Sequence, residues 1–209
     1  MASVPQEAAP RVAGVLLAAG GGRRLGGRPK ALLPHHGRPL VEHAVRALAE
    51  GGCSPLYVVL GAAPAREVAA RADLAGCVLL DNPDWAEGMG TSLRLALDAL
   101  GSSRTEDGVD AALFSLVDQP GIGADAVARV RGACDTADTL AAACYGGRRG
   151  HPVLAGARHW AGIAEGARGD QGARSYLRAH AGELALVECG DIASPEDIDT
   201  PEDLKRLEA

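Results

Sequence analysis

Residues 16–34 read LLAAGGGRRLGGRPKALLP, with five glycines, three arginines and one lysine behind an apolar run. The run itself, Val12–Ala19, is short and bounded by glycines, which suits a strand covered on both faces. A glycine-rich basic loop placed directly after such a strand suits an anion. Glycines let backbone N–H groups turn inward, and the side chains add charge-assisted hydrogen bonds.

The loop fits neither familiar phosphate pattern. Gly22 and Gly27 have the Walker A separation, but Arg28 stands where Lys is required and Ala31, not Ser or Thr, follows Lys30. Gly20 and Gly22 begin a GxGxxG run, but Leu25 occupies the third glycine position. Pro29 also disfavours helical geometry at Arg28, so the loop stays irregular through Pro34.

Outward from this loop, strands and helices alternate. Helical spacing runs through Leu40, Val41, Ala44, Val45 and Leu48, ending at Gly51-Gly52. Strands are expected at 56–60, 77–80, 111–117, 140–145 and 184–189, with a further one over 151–154. Helices are expected at 65–74, from Thr91 through Leu100, at 124–134, at 172–180, and from Thr200-Pro201 onward, where Thr caps and Pro takes the first turn. Residues 101–109 read as a polar connector. Residues 1–10 read as a loose tail and residues 11–209 as one domain. The fold class is α/β: a single doubly wound, mostly parallel sheet with helices on both faces. Such sheets bind ligands beyond the carboxyl ends of their strands, so the loops at 20–34, 81–92, 118–123 and 190–200 carry the information.

Composition narrows the function. Only 3% of residues are aromatic while 47% are hydrophobic, so the core is built from Ala, Val and Leu. The net charge of −6 excludes a sequence-independent nucleic-acid binder. Five cysteines without a CxxC pair exclude a disulfide scaffold or a zinc site of the usual spacing. No apolar run reaches the ~18 residues of a membrane span and residues 1–11 lack a signal-peptide core, so a cytoplasmic protein is expected.

The run AAGGGRRLGGRPKALL resembles the signature of the MobA-like nucleotidyltransferases: a glycine turn, Arg24-Leu25-Gly26 where the family has Arg-Met-Gly, and Lys30 four residues after that glycine. The likeness continues in order through Asn82-Pro83-Asp84-Trp85, Gly88-Met89-Gly90-Thr91-Ser92-Leu93, Val117-Asp118-Gln119-Pro120 and Asp197 to Leu204. Arg149-Gly150-His151-Pro152-Val153-Leu154 and Gly169 to Arg174 resemble acceptor-side elements of one branch, the molybdenum cofactor cytidylyltransferases.

The resemblance implies a Rossmann-like fold of the nucleotide-diphospho-sugar transferase type and a Mg2+-dependent reaction. CMP would pass from CTP to the phosphate of molybdopterin, with release of pyrophosphate. Arg24, Lys30 and Asp118 are the implied catalytic residues. The nucleotide would be bound by Leu17, Ala18, Ala19, Gly20, Gly21 and Gly22, with Arg24, Lys30, Asn82, Gly88, Thr91 and Ser92. Asp118 and Asp199 would hold the metal, and His151, Asp170 and Arg174 the acceptor. A molybdenum hydroxylase or maturation partner would receive the product; neither nucleic acid nor membrane is implied. The family's guanylyl branch has glycine where Ala19 stands, so Ala19 implies CTP rather than GTP.

Read from the residues alone, several of these positions keep ordinary explanations. Asp118 could cap the next helix; Asp197, Asp199 and Asp203 precede a helix N-terminus, where acids are favoured; Thr91 could be a cap; Asp170 and Arg174 have helix-face spacing. His151-Pro152 could be a turn, and His35, His36, His43, His159 and His180 fit no ligand spacing. Three alternatives stand beside the cytidylyl reading: a guanylyltransferase, a nucleotidyltransferase for a sugar or alditol phosphate, and a non-catalytic cofactor binder. A pure carrier has no need of Lys30, Asp118 and Asp199 together.

Overall fold

A computed structural model describes residues 9–207; most of the tail expected over residues 1–10 lies outside them. In chain order the elements are β1 (Val12–Leu17), β2 (Pro34–His35), β3 (Arg38–Pro39), α1 (Leu40–Glu50), β4 (Leu56–Leu60), α2 (Ala65–Ala69), β5 (Cys77–Asp81), α3 (Met89–Asp107), β6 (Ala111–Leu116), α4 (Ala124–Arg131), β7 (Leu140–Tyr145), β8 (Arg148–Gly156), α5 (Trp160–Gly166), α6 (Arg174–Ala179) and β9 (Ala185–Glu188). Single 3-10 turns intervene, among them Arg23–Leu25, Lys30–Leu32 and Asp203–Leu207.

The main sheet has the order β5-β4-β1-β6-β8-β7-β9. β8 runs antiparallel to β6 and β7, and the other pairings are parallel. β1 is buried along its whole length because it is covered twice. Alternate side chains explain how. Val12 and Leu16 join Val58, Leu113 and the inward faces of α1 and α4 in one core layer. Ala13, Val15 and Leu17 join Tyr57, Val59, Phe114 and the inward faces of α3, α5 and α6 in the other. Scarce aromatics leave small side chains to set the spacing. At Gly14, an added Cβ would lie 2.8 Å from a Leu56 methyl and 3.0 Å from Cys53 Cβ.

Several local expectations need correction: α2 ends at Ala69, short of the expected 65–74, and the helix expected from Thr200-Pro201 onward is a 3-10 turn over Asp203–Leu207. α3 runs on to Asp107 through the stretch read as a connector; once its first turns are packed, extension costs little, and Gly108 (φ 59°) ends it. Thr91 lies inside the helix, not at its cap, because α3 already begins at Met89. His151-Pro152 sits within β8, in keeping with the strand expected over 151–154 rather than with the alternative of a turn; the turn is Gly146-Gly147, whose φ angles of 57° and 80° form a two-residue hairpin between β7 and β8. α5 had no expected counterpart, since it buries only Trp160 and Ile163 and is too short to show a period.

Two features of the fold position the site. Ala18 donates from its backbone to Val59 O (2.8 Å) and Val117 to Leu17 O (3.2 Å), tying the first residues beyond β1 and β6 to the sheet. Beyond β9 the chain crosses back over the carboxyl end of β6, where Ser194 N donates to Gly121 O (3.2 Å) and Ile198 N to Asp118 O (2.8 Å). The last turn is fixed by a cap that works backward: the Asp203 carboxylate accepts from Asp199 N (3.0 Å), Thr200 N (2.8 Å) and Thr200 Oγ1 (2.9 Å). Those bonds, the backbone ones first, hold Asp203 down to about 2.

Gly156→Ala tests the tightness of this packing. A Cβ there would meet Ala137 O at 2.2 Å, a backbone atom that no rotamer change can move. The expected loss is about 1–3 kcal/mol in urea unfolding. An unchanged midpoint would show that the 137–139 segment yields freely.

Candidate active site

The glycine loop folds back on itself without becoming a helix. Lys30 N donates to Gly20 O (3.0 Å), and Leu25 N (2.8 Å) and Gly27 N (3.0 Å) both donate to Gly22 O. Gly22 is obligatory twice over: its φ is 57°, and a Cβ would sit 2.2 Å from Arg28 O. The fold-back delivers Lys30 to the centre of the site. Its ammonium lies 2.5 Å from Asp118 Oδ2 and also bonds Asp199 Oδ1. Lys30 and Asp118 are largely buried, whereas Asp199 is 46% exposed at its side chain. Burial works against the Lys30 charge, but the two carboxylates outweigh it and raise its pKa above the ordinary lysine value.

Two cavities meet here. The smaller, about 320 Å³, is lined by the glycine turn (Ala19, Gly20, Gly21), by Lys30 and Asp118, and by Gly88 and Ser92 across from them. The larger, about 570 Å³, is lined by Phe114, Gln119, Tyr145, His151 and Arg174 among others. Leu17, Met89 and Leu116 border both.

The remaining expected residues take varied places. Asn82 and Thr91 stand behind the smaller cavity, not on it: Asn82 Nδ2 donates to Thr91 Oγ1 (2.8 Å) and Ser92 Oγ (2.9 Å), and all three are buried. They hold the 82–92 loop in shape. Ala18 and Gly22 likewise form no part of the lining. Arg24 is 77% exposed, with its guanidinium 4.0 Å from Asp199, while Arg23 lines the smaller cavity and reaches Ala86 O at 3.4 Å. Asp170, expected on the acceptor side, borders the smaller cavity, and Arg174 the larger.

Sequence reasoning passed over Trp85 and Gln119. A Cβ at Gly21 would be 2.7 Å from the Trp85 ring, and one at Gly61 2.5 Å from Trp85 Cβ, so the indole is wedged between the glycine turn and the end of β4. Gln119 Nε2 donates to Asp197 Oδ1 (2.8 Å) and Pro195 O (3.2 Å), bridging the segments that carry the two carboxylates. The only sequence signal was their place inside recognised motifs. Two of the histidines that fit no ligand spacing are structural: His43 Nε2 donates to Pro120 O and His35 Nδ1 to Leu207 O, each at 3.1 Å, bracing the same segments from behind.

A basic glycine turn beside two carboxylates, set at the carboxyl ends of a mostly parallel sheet, places the chain among α/β proteins of Rossmann-like nucleotidyltransferase type. A model of the MobA-like NTP transferase domain matches residues 14–184. The chain belongs to that family. It is 42% identical over 205 residues to nicotine blue oxidoreductase of Paenarthrobacter nicotinovorans, covering 95% of this chain and 97% of the relative. It is 34% identical over 143 residues to molybdenum cofactor guanylyltransferase of Bradyrhizobium sp. strain ORS 278, covering 68% of this chain and 64% of the relative. A crystal structure of the Mycobacterium sp. strain JC1 homologue of Mycobacterium tuberculosis Rv0371c superposes with a TM-score of 0.76 at 32% identity over 96% of each chain. Rv0371c of M. tuberculosis H37Rv in complex with manganese gives 0.70 at 25% identity, over 94% of this chain and 97% of that one. No helix among the described residues is long and apolar enough to cross a membrane.

His151 yields a pH test. Burial, then the charges of Arg174 and Arg149, push its pKa from 6.5 down to about 4. The unfolded chain therefore binds a proton that the folded one refuses between these values, so this residue's contribution to stability falls as pH drops from 6.5 toward about 4. An NMR titration of the His151 ring should show a midpoint near 4; one near 6.5 would contradict the charged, desolvated setting described.

Proposed function

We propose that the protein is a Mg2+-dependent nucleotidyltransferase that moves CMP from CTP to the phosphate of a molybdopterin-type acceptor. The observation that carries this reading is the convergence of Lys30, Asp118 and Asp199 beside two adjoining cavities. The nucleotide would occupy the smaller cavity and the acceptor the larger. An acceptor phosphate oxygen would attack the α-phosphorus, and the bond to the β-phosphate oxygen would break to release pyrophosphate. The needs of such a transfer are positioning and charge neutralisation. The glycine turn and Lys30 would supply both at the triphosphate, with Lys30 leaving its carboxylates to follow the charge that grows on the leaving group.

The donor set fits magnesium. Two carboxylates directed at one point match an ion that takes one or two carboxylates plus phosphate oxygens and water. No larger group of His, Cys, Asp and Glu forms a cage among the described residues. When bound, the ion would screen charge on the nucleotide phosphates. A mycobacterial relative of the same fold forms a complex with manganese, which supports a divalent metal for this chain. With small polar substrates throughout, the reaction would take place in the cytoplasm, and a molybdenum hydroxylase or its maturation partner would collect the product.

One relative favours a second reading. Its name, nicotine blue oxidoreductase, goes with 42% identity across nearly all of both chains. An ammonium and two carboxylates beside a glycine turn match the charge of nucleotide phosphates and of a divalent cation, the demands of nucleotidyl transfer, so the transferase reading stands first. Oxidation of a reduced nicotinamide donor dependent on nicotine blue, with no pyrophosphate from any NTP and acceptor, would reverse that order.

Asp118→Asn keeps the shape of the side chain and should leave the fold intact. Turnover, measured as pyrophosphate release, should fall about a hundredfold or more, roughly 3 kcal/mol of transition-state stabilisation. Retention of more than about half the activity at saturating Mg2+ would remove Asp118 from the mechanism.

Base choice is tested at Ala19, which lines the smaller cavity. Its β-carbon narrows the space for a base edge against the backbone, which suits a pyrimidine better than a purine. CTP should exceed GTP by about tenfold or more in kcat/KM, and Ala19→Gly should narrow the gap. A GTP preference in the unmodified protein would favour the guanylyl alternative.

A further inference from the structure

The larger cavity carries positive charge that transfer to a simple phosphate does not require. Arg148 and Arg149 stand on β8 just past the Gly146-Gly147 turn, and Arg174 opens α6; all three line this cavity and none lines the smaller one. No carboxylate among the described residues lies within ion-pair distance of any of them, whereas Arg129, Arg158 and Arg206 are paired with Asp191 (2.5 Å), Asp138 (3.1 Å) and Glu196 (3.1 Å). The acids on the cavity wall are already engaged: Glu196 by Arg206, and Asp197 by Gln119 at 2.8 Å. His151, pushed down to about 4 by burial and by Arg174 and Arg149, is neutral near pH 7 and leaves the charge to the arginines.

The rest of the lining describes what lies between. Leu93, Phe114, Val153 and Leu177 give an apolar floor. Gln119, 8% exposed on the wall, has its Oε1 buried without a partner. The amide cannot turn round to relieve this, because Nε2 donates to both Pro195 O and Asp197 Oδ1. A buried carbonyl oxygen left this way calls for a donor from the occupant.

We propose that the acceptor has two anionic ends: the phosphate that is attacked, and a second negative group, remote from it, held by Arg148, Arg149 and Arg174. Between the two, its body lays an apolar face on Leu93, Phe114, Val153 and Leu177 and offers a hydrogen-bond donor to Gln119 Oε1. The attacked phosphate has to reach Lys30 and Asp118 across the border formed by Leu17, Met89 and Leu116, and the arginines line only the far cavity. Planar guanidinium forks suit an oxyanion there. The proposal rests on the larger cavity being the acceptor's.

Binding separates the two ideas. With the full chain, pterin-6-carboxylate and the uncharged 6-hydroxymethylpterin are titrated by their own fluorescence. The carboxylate should bind about tenfold more tightly or better, with the advantage shrinking as salt rises. The double variant Arg148→Gln/Arg149→Gln should erase most of that advantage, while its thermal stabilisation by CTP and Mg2+ matches the unmodified protein's and reports an intact fold. Equal binding of the two pterins, an advantage that survives in the double variant, or no saturable binding of either would overturn the proposal. Loss of CTP stabilisation in the unmodified protein, with the pterin preference intact, would instead sink the nucleotidyltransferase reading and leave the anion site standing.

Discussion

The Lys30 ammonium between Asp118 and Asp199 is the constraint on which the rest depends. The three residues come from the loop after β1, the end of β6 and the segment after β9, so one cation joins the first, middle and last parts of the chain. Two carboxylates bound to one ammonium repel each other, and the positive charge between them offsets that repulsion. Lysine supplies that charge on a flexible stem, so it can leave its position when another cation or a phosphate arrives. The neighbouring bonds keep the carboxylates in place meanwhile: Ile198 N to Asp118 O, Gln119 across to Asp197, and the cap at Asp203.

That arrangement also explains the unusual demands on small residues. Gly22 permits the fold-back that returns Lys30 to the sheet, and Gly21 and Gly61 leave room for the Trp85 ring. Gly88, at φ 115°, lies so close to the Gly169 carbonyl that a Cβ would be 2.5 Å from its carbon. The 82–92 loop and the 169–170 turn are therefore packed closely enough that a side chain at Gly88 would push them apart.

Much of this was legible in the sequence because it is local. The apolar run Val12–Ala19, followed by glycines and charges, marks β1 and its loop, and the apolar stretch before Asp118 marks β6. What was illegible depends on tertiary placement. Asp199 looks like any acid before a helix until the crossing at Ile198 brings it to Asp118. Arg23 and Arg24 are neighbours in sequence, and only the 3-10 turn decides which one faces the cavity. Arg149 was named only as part of an acceptor-side element and Arg148 not at all, since a hairpin that reverses one strand against a parallel sheet leaves no periodic signal. Thr91 and Asn82 were legible as important, but their hydroxyl and amide are spent on each other.

The shared border of the two cavities, Leu17, Met89 and Leu116, has a consequence for turnover. On the proposed reaction the product spans that border and is held at both ends, as a bivalent ligand is. Its second end rebinds from a high effective concentration whenever the first lets go. Departure of pyrophosphate would remove the contacts to the β- and γ-phosphates but leave the nucleoside end and the far anion held, so release of the joined molecule, rather than the bond-making step, would set the pace. A protein that accepts the product directly from the open end would then act as an accelerator as well as a destination.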